Sequence, residues 1–266
     1  MKPYYEQDGV TLYHGDNVQT MREAIPDQSI DLVVTSPPYD NLRTYGGHTW
    51  DFEGLAAELW RAIKPGGVVV WIVNDATVDG SETGTSFRQA LHFKEIGFRL
   101  HDTMIWEKSG FSAVGSLQVR YAPTFEFMFV LSSGAPVTFN PLKDKPNAWG
   151  GTKQHGTVRQ ADGTTVPVSG IRFGKRIAET GQRGSVWQII EEKIANKLHP
   201  ATFPEALARD HILSWSNEGD TVLDPFSGSG TTLKMARLMG RRGIGIEIHQ
   251  AYCDIAAERL RQRLLF

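Results

Sequence analysis

The amino-acid sequence predicts an α/β protein built on a doubly wound, mostly parallel sheet. Short apolar runs that resemble buried strands alternate with segments whose apolar residues recur three and four positions apart, as in amphipathic helices. The sequence Lys64-Pro65-Gly66-Gly67 ends one helical pattern and leads directly into a strand-like run, as the short αβ turns of such folds do. Two motifs rich in proline or glycine follow strand-like runs near opposite ends of the chain. Open α/β sheets bind their ligands at the carboxyl ends of strands.

Seven segments are predicted to be strands because they are short, apolar and rich in β-branched or aromatic residues. They are 11–14, 31–35, 68–73, 103–106, 125–131, 221–223 and 244–248. Five segments have the apolar spacing of helices, namely 53–63, 86–95, 204–215, 231–239 and 250–264. This alternation favours parallel strands connected by helices.

The block 135–186 differs from the rest of the chain. It has glycines, prolines and scattered cations without a sustained apolar period, and it is predicted to be an irregular insertion into a domain formed by 1–134 and 187–266. Positions 139–186 contain eight cations and three anions, a local net charge of +5. Because the whole chain has a net charge of −2, the remainder carries −7, and the overall charge does not indicate a protein that coats nucleic acid.

The amino-acid composition excludes several classes of protein. With 266 residues and 40% hydrophobic content, the chain can bury a full core. The first six residues lack the apolar core of a signal peptide, and no run approaches the roughly 20 apolar residues of a membrane span, so a cytoplasmic protein is expected. The single cysteine, Cys253, excludes an internal disulfide framework and a Cys-rich zinc site, and no metal centre is predicted. We expect Cys253 to be a buried thiol in the last helix.

The motif Asp224-Pro-Phe-Ser-Gly-Ser-Gly-Thr-Thr232 is predicted to hold a nucleoside-bearing cofactor. A strand ends at Asp224, and Gly228 and Gly230 would leave room for a ligand at the start of the following helix. Glu247 ends the next strand and is placed to accept hydrogen bonds from both hydroxyls of a ribose. The spacing is not the Gly-x-Gly-x-x-Gly fingerprint, which disfavours a nicotinamide cofactor. The alternative is a tight turn with no ligand.

The motif Thr35-Ser36-Pro37-Pro38-Tyr39 is predicted to hold a planar amine. Two successive prolines fix the backbone and remove two donors, so the turn presents carbonyl oxygens. The Ser36 hydroxyl oxygen and the Pro37 carbonyl could accept the N–H groups of an exocyclic amine and favour a pyramidal nitrogen that can attack. Tyr39 can stack on a base that has left the duplex. The alternative is a turn that only ends a strand.

Together, Thr35 to Tyr39 and Asp224 to Thr232 resemble the motifs of amino-group DNA methyltransferases. The Pro-Pro-Tyr motif precedes the cofactor motif, as in the permuted β class, and the resemblance covers nearly all of the chain except the middle block. It implies a Rossmann-like fold, S-adenosylmethionine as the cofactor and S-adenosylhomocysteine as its product. It also implies that Ser36, Pro37, Pro38 and Tyr39 form the catalytic motif.

The resemblance implies roles for further residues in cofactor binding. Asp224, Phe226, Gly228 and Gly230 would line the cofactor, Glu247 would bind its ribose, and Thr231 would lie near its methionine end. His199, in a segment just before the cofactor strand, would help to close over the methionine moiety, and Asp16 would contact the adenine ring. For His199 the alternative is a structural role, and for Asp16 it is a simple helix cap.

The target base is predicted less directly. Transfer to carbon 5 of cytosine needs a cysteine nucleophile, and Cys253 is remote in sequence from the Pro-Pro turn. A serine at position 36 resembles the cytosine N4 enzymes, whereas relatives acting on adenine N6 more often have an acidic residue there. Cytosine N4 is therefore favoured and adenine N6 is the alternative. RNA or protein glutamine as the substrate, and a binding module that has lost catalysis, are further alternatives.

The basic block is the candidate for recognition of double-stranded DNA, after which the base would be flipped out. It combines cations with aromatic residues, a mixture that contacts phosphates and base edges. Arg172, Lys175 and Arg176 are the leading phosphate contacts, and Arg43 is predicted to lie in a loop over the base. The alternative is a solvated surface loop. The sequence leaves open whether the protein forms a homodimer and whether a restriction endonuclease accompanies it.

Overall fold

A computed structural model describes residues 1–38, 50–108, 110, 119–153, 155–167, 173–190 and 204–262. The helices are α1 (Asn17–Ala24), α2 (Phe52–Ala62), α3 (Thr85–Glu95), α4 (Glu205–Trp215), α5 (Thr231–Leu238) and α6 (Gln250–Arg261). The strands are β1 (Tyr5–Gln7), β2 (Val10–His14), β3 (Ile30–Thr35), β4 (Ile63–Val73), β5 (Thr77–Val78), β6 (Ser81–Glu82), β7 (Arg99–Glu107), β8 (Phe125–Ser132), β9 (Lys145–Pro146), β10 (Thr157–Arg159), β11 (Thr165–Pro167), β12 (Thr180–Gly181), β13 (Val186–Gln188), β14 (Thr221–Asp224) and β15 (Arg242–Glu247).

Among the described residues, nine strands form one large sheet in the order β1-β2-β15-β14-β3-β4-β8-β7-β13. Strands β2, β15, β14, β3 and β4 are parallel neighbours, whereas β8 runs antiparallel to both β4 and β7. The central strands are buried almost throughout, which explains why they read as continuous apolar runs. The predicted fold class, a mostly parallel doubly wound sheet, is confirmed.

Six of the seven predicted strands fall within a strand of this sheet, and the seventh, 244–248, extends one residue beyond β15. Each of the five predicted helices overlaps a helix. Helix α1 was not predicted. Its buried face contains Asn17 and Thr20 beside Val18 and Met21, so its apolar spacing is too sparse to stand out. Helix α6 ends at Arg261, and the last two residues of the predicted helix, 263 and 264, lie outside the described residues.

The described chain divides into two compact units. The first contains 1–140 and 185–266, and the second contains 141–184. The second unit therefore begins several residues after the predicted start of the insertion at 135. The reason is that the Asn140 amide donates to the carbonyl oxygens of Leu213 and Ser216, while the ring of Phe139 packs against Trp215. These contacts keep the residues just before 141 on the larger unit.

The second unit contains two short antiparallel hairpins, β10 with β11 and β9 with β12. Arg183 forms an ion pair with Asp144, and the guanidinium lowers the pKa of that carboxyl group. Lys175 and Arg176 are both exposed in this unit. Arg176 donates one hydrogen bond to the Gly151 carbonyl oxygen, at 2.7 Å.

None of the described helices is both long and apolar enough to cross a membrane. The described part of the chain also contains no group of three or more His, Cys, Asp or Glu side chains arranged to hold a metal ion.

Candidate active site

The carboxyl ends of four adjacent parallel strands meet at one edge of the sheet, in the order β2, β15, β14, β3. Glu247 at the end of β15 pairs with His14 at the end of β2. Asp224 at the end of β14 pairs with Gly245, and Leu223 pairs with Val33 of β3. The glycine-rich loop and the Pro-Pro turn therefore leave the sheet from neighbouring strands.

Asp224 joins these two motifs directly. One of its carboxylate oxygens accepts the Thr35 hydroxyl at 2.7 Å and the Phe226 N–H at 3.1 Å, and the other accepts the Thr232 hydroxyl at 2.7 Å. The side chain is only 1% exposed, and burial raises the pKa of Asp224 to about 6 although these three donors lower it. Three protein groups already donate to its oxygens. This carboxylate therefore connects the Pro-Pro turn to the glycine-rich loop through hydrogen bonds.

The Pro-Pro turn follows Thr35 immediately. Pro37 is buried, while Ser36 and Pro38 are partly exposed. With Thr35 fixed to Asp224, the turn begins at a defined point beside the glycine-rich loop. Tyr39 and Arg43, which were predicted to stack on or cover the base, lie outside the described residues.

The glycine-rich loop contains two residues in the left-handed region, Gly228 with φ 49° and Gly230 with φ 79°. Residues other than glycine rarely adopt this backbone conformation. A Cβ atom at Gly230 would also lie 3.1 Å from the Cβ of Ala256 in α6. The space beside Gly230 is thus filled by a helix, and packing is a reason for glycine there that the sequence did not reveal.

Glu247 presents a buried carboxylate next to this loop. One oxygen accepts the Gly228 N–H and the other accepts the His249 N–H, both at 2.8 Å. Burial raises the pKa of Glu247, and the backbone donors partly oppose that shift. The residue is 8% exposed. A carboxylate has about four acceptor positions, so each oxygen keeps capacity for one more donor, such as a ribose hydroxyl.

Phe226 brings an aromatic ring to the same edge. The ring is partly buried and meets Trp50 edge to face, with ring centroids 5.0 Å apart, while Trp71 lies further below at 6.5 Å. A flat ligand such as a purine could pack against this partly exposed aromatic surface. Trp50 was not predicted, because nothing in its sequence context separates it from an ordinary core residue.

Asp16 and Thr231 are at this edge too, and each has a local structural role. Asp16 is the N-cap of α1, and its carboxylate accepts the Gln19 N–H at 2.9 Å. It is exposed, so the cap leaves acceptor capacity toward solvent. Thr231 is the first residue of α5 and is buried.

The remaining predicted residues are outside this part of the described structure. Lys175 and Arg176 belong to the second unit, and His199 and Arg172 lie outside the described residues. Cys253 is fully buried in α6, and burial raises the pKa of its thiol to about 12. Such a thiol has almost no nucleophilic thiolate at neutral pH. This finding agrees with the prediction that Cys253 is a plain buried thiol.

Two threonines that sequence reasoning did not select complete the junction. Thr35 and Thr232 both donate to Asp224, from before the Pro-Pro turn and from the start of α5. Their sequence signal is that Thr35 is the first residue of one motif and Thr232 is the last residue of the other. The site as described offers a ribose acceptor, an aromatic surface and a glycine turn at a helix N-terminus, and this set of groups fits an adenosine-bearing cofactor.

Comparisons with known proteins agree with this geometry. The family model for N6 and N4 methyltransferases, described as DNA methylase, matches residues 30–258. The orphan methyltransferase M.BamHII of Bacillus amyloliquefaciens is 53% identical over 256 residues, covering 92% of this chain and 94% of that protein. The type II methyltransferase M.ScaI of Streptomyces caespitosus is 31% identical over 268 residues, covering 97% and 84%.

Solved structures show the same fold. The PvuII DNA methyltransferase, named as cytosine-N4-specific, superposes with a TM-score of 0.69 at 22% identity and covers 100% of this chain and 91% of its own. The complex of M1.HpyAVI with S-adenosylmethionine gives a TM-score of 0.59 at 22% identity, covering 94% and 99%. At these identities the likeness concerns the fold.

Proposed function

Since this chain belongs to the N6/N4 DNA methylase family, an amino-group DNA methyltransferase family that uses S-adenosylmethionine, we propose that its target atom is N4 of cytosine in double-stranded DNA. The observation that carries transfer to an exocyclic amine is the hydrogen bond between Thr35 and Asp224, because it fixes the start of the Pro-Pro turn beside the cofactor loop. An amine held by the turn would therefore lie next to the methyl donor.

Ser36 favours cytosine by resemblance, because a serine at this position is similar to the cytosine N4 enzymes, and the chemistry of the turn suits an exocyclic amine. An exocyclic amine is a poor nucleophile because its lone pair is delocalised into the ring. The neutral Ser36 hydroxyl and the Pro37 carbonyl would accept its two N–H groups, orient the nitrogen and favour the pyramidal form with a free lone pair. Pro38 would keep the turn rigid and Tyr39 would stack on the flipped base. The cofactor supplies a methyl group activated by a sulfonium.

The chain's own residues would hold the cofactor as follows. Glu247 would accept the ribose hydroxyls with the acceptor capacity its two backbone donors leave free. Phe226 would pack against the adenine, and Asp16 would contact its edge from the end of β2. Thr231 and His199 would lie toward the methionine end. Gly228 and Gly230 would shape the loop, and Asp224 would fix that loop to β3.

The base can be identified by methylating plasmid DNA with the purified protein and digesting the product to nucleosides for mass spectrometry. N4-methylcytosine is the expected product. N6-methyladenine alone would contradict the proposal and establish the adenine alternative. Absence of methylated nucleosides from every DNA substrate, with cofactor still bound to the protein, would indicate a binding module. The variant S36A, treated identically, controls for methylation by a contaminating enzyme and should lose most product.

We also propose that the second unit, 141–184, contacts DNA. Lys175 and Arg176 are exposed there, whereas Arg183 is already paired with Asp144 and is less available to phosphate. Replacing Arg172, Lys175 and Arg176 together by alanine should weaken DNA binding and flatten its salt dependence, because each phosphate contact releases counterions. Cofactor affinity should stay unchanged. Unaltered DNA affinity at low and high salt would refute the assignment.

A matched control for this experiment lies in the larger unit. Arg22 is an exposed cation on α1, with 61% of its side chain accessible, and its substitution by alanine alters net charge without touching 141–184. We expect R22A to leave the salt dependence as it is in the unmodified protein. Equal loss from R22A would show that the effect depends on total charge and not on this unit.

A further inference from the structure

Arg259 in α6 makes an unusual set of contacts with the cofactor loop. Its guanidinium donates to both the carbonyl oxygen and the hydroxyl of Ser229, each at 2.7 Å, and lies 3.4 Å from the Thr231 hydroxyl. A second nitrogen donates to Glu205 at 2.9 Å. The Arg259 side chain is 14% exposed, so these hydrogen bonds are sheltered from water. Charged hydrogen bonds with little solvent competition are among the stronger contacts in a protein.

Glu205 ties the same group to two further helices. It is the first residue of α4, and the oxygen that accepts Arg259 also accepts Lys234 of α5, at 2.6 Å. Arg259 and Lys234 both lie near the N-terminal end of α5, where the helix dipole disfavours positive charge. The Glu205 carboxylate offsets that repulsion. Without the Glu205 carboxylate, a cation at the N-terminal end of α5 would be unfavourable. This arrangement indicates that Arg259 has a specific structural role.

The role of Arg259 follows from the contacts that hold the glycine-rich loop. On one side, Glu247 accepts the Gly228 N–H, and on the other side Arg259 binds the carbonyl of the next residue, Ser229. Two side chains of opposite charge therefore fix two peptide groups, 227–228 and 229–230, of a loop that contains two left-handed glycines. Such a loop is intrinsically free to adopt other conformations, since glycine tolerates both signs of φ.

We propose that Arg259 is a positioning residue for S-adenosylmethionine: by holding Ser229, and by its pairing with Glu205, it keeps the loop of residues 226–230 in the conformation that receives the cofactor. Arg259 acts through Ser229 and Glu205 rather than on the reacting atoms. The inference rests on the use of the cofactor and not on which base is methylated.

The test compares R259M with R261M. Methionine keeps much of the length and the apolar stem of arginine but has no donors. Arg261 is an exposed cation on the same helix, 3.9 Å from Glu258 and with its guanidinium 5.7 Å from the centre of the Tyr5 ring. Isothermal titration with S-adenosylmethionine should show an increase in Kd of about 10-fold or more for R259M and less than about twofold for R261M. DNA affinity should be unchanged in both. In steady state, KM for the cofactor should rise while KM for DNA stays constant.

A merely structural role would give a different pattern. If R259M bound the cofactor within about twofold of the unmodified protein, or lost cofactor and DNA affinity equally, the proposal would be overturned. The variant R259K serves as the conservative rescue. Because one ammonium cannot reproduce the fork that reaches Ser229 and Glu205 together, its Kd should fall between those of the unmodified protein and R259M.

If R259M does not fold, E205Q provides a second route. It keeps Arg259 and its contact with Ser229 but replaces the charged partner of both cations with a neutral amide. Cofactor Kd should rise by about threefold or more, with DNA affinity unaltered. A Kd equal to that of the unmodified protein would overturn the link from Glu205 to the loop.

Discussion

The substitution D224N tests the electrostatics of the junction between the two motifs. An amide is close in shape to the carboxylate, and its oxygen can keep the hydrogen bonds from Thr35 and Phe226. Its nitrogen would face Thr232, whose hydroxyl also lies 3.3 Å from the Val34 carbonyl oxygen. That hydroxyl can turn to accept one N–H of the amide and donate to the carbonyl, so the second N–H of the amide is the one donor that the substitution adds to the junction.

The expected magnitude follows from the pKa of Asp224. Burial raises this pKa from 3.8 to about 6. A difference of about two units corresponds to about 3 kcal/mol by which folding disfavours the charged form at neutral pH. D224N has no such charge. At about pH 8 it should therefore be more stable than the unmodified protein, by up to about 3 kcal/mol.

The sign of the pH dependence is also fixed. Because the folded-state pKa is raised, the native protein binds more protons than the unfolded chain between about pH 4 and pH 6. The contribution of Asp224 to stability is complete below the unfolded-state pKa of 3.8 and is lost as the pH rises through the folded-state pKa of about 6. The difference in free energy of unfolding between D224N and the unmodified protein should therefore be near zero at about pH 4 and grow to a plateau above about pH 6.

Chemical denaturation at a series of pH values measures this difference. Taking the difference is necessary because Glu247, whose pKa is also raised by burial, contributes to the pH dependence of both proteins and largely cancels. If D224N were less stable than the unmodified protein by more than about 1 kcal/mol at pH 8, and the difference did not vary with pH, folding would not disfavour the charge of Asp224 and the reasoning would be refuted.

Three further predictions concern the loop and its surroundings. G230A should destabilise the protein by about 1 kcal/mol more than G219A. Both glycines have positive φ, but of the two only Gly230 has another atom within 3.4 Å of an added Cβ. Equal losses of stability in thermal unfolding would contradict this reason. E247Q should weaken binding of S-adenosylmethionine by about 10-fold, because the amide nitrogen of the glutamine must face one of two backbone N–H donors. Unchanged titration curves would show that Glu247 does not bind the cofactor. Cys253 should not react with a thiol reagent at about pH 8 until the protein is denatured, and rapid labelling of the native protein would show that its thiol is not buried.

Local patterns made the main elements predictable. The strands β3, β4 and β14 are buried on both faces, so their apolar runs are unbroken, and the helices that cover them have the expected spacing. Both motifs could be placed at strand ends for the same reason. Helix α1 could not be found in this way, because polar residues occupy half of its buried face. The second unit begins at 141 because Asn140 contacts the end of α4, more than 70 residues further along the sequence, and local patterns do not reveal such a contact.

The sequence by itself determined the fold class, the two motifs and the kinds of group at the site, because residue periodicity and turn chemistry act over a few neighbouring positions. Only the tertiary structure decided how those groups are joined. The hydrogen bond from Thr35 to Asp224 spans 189 positions, and Arg259 reaches back 30 positions to Ser229. Such pairings depend on the order in which strands lie in the sheet and on the face from which a helix packs. Neither leaves a local mark on the chain, since the free energy that fixes them comes from burial of whole elements against one another.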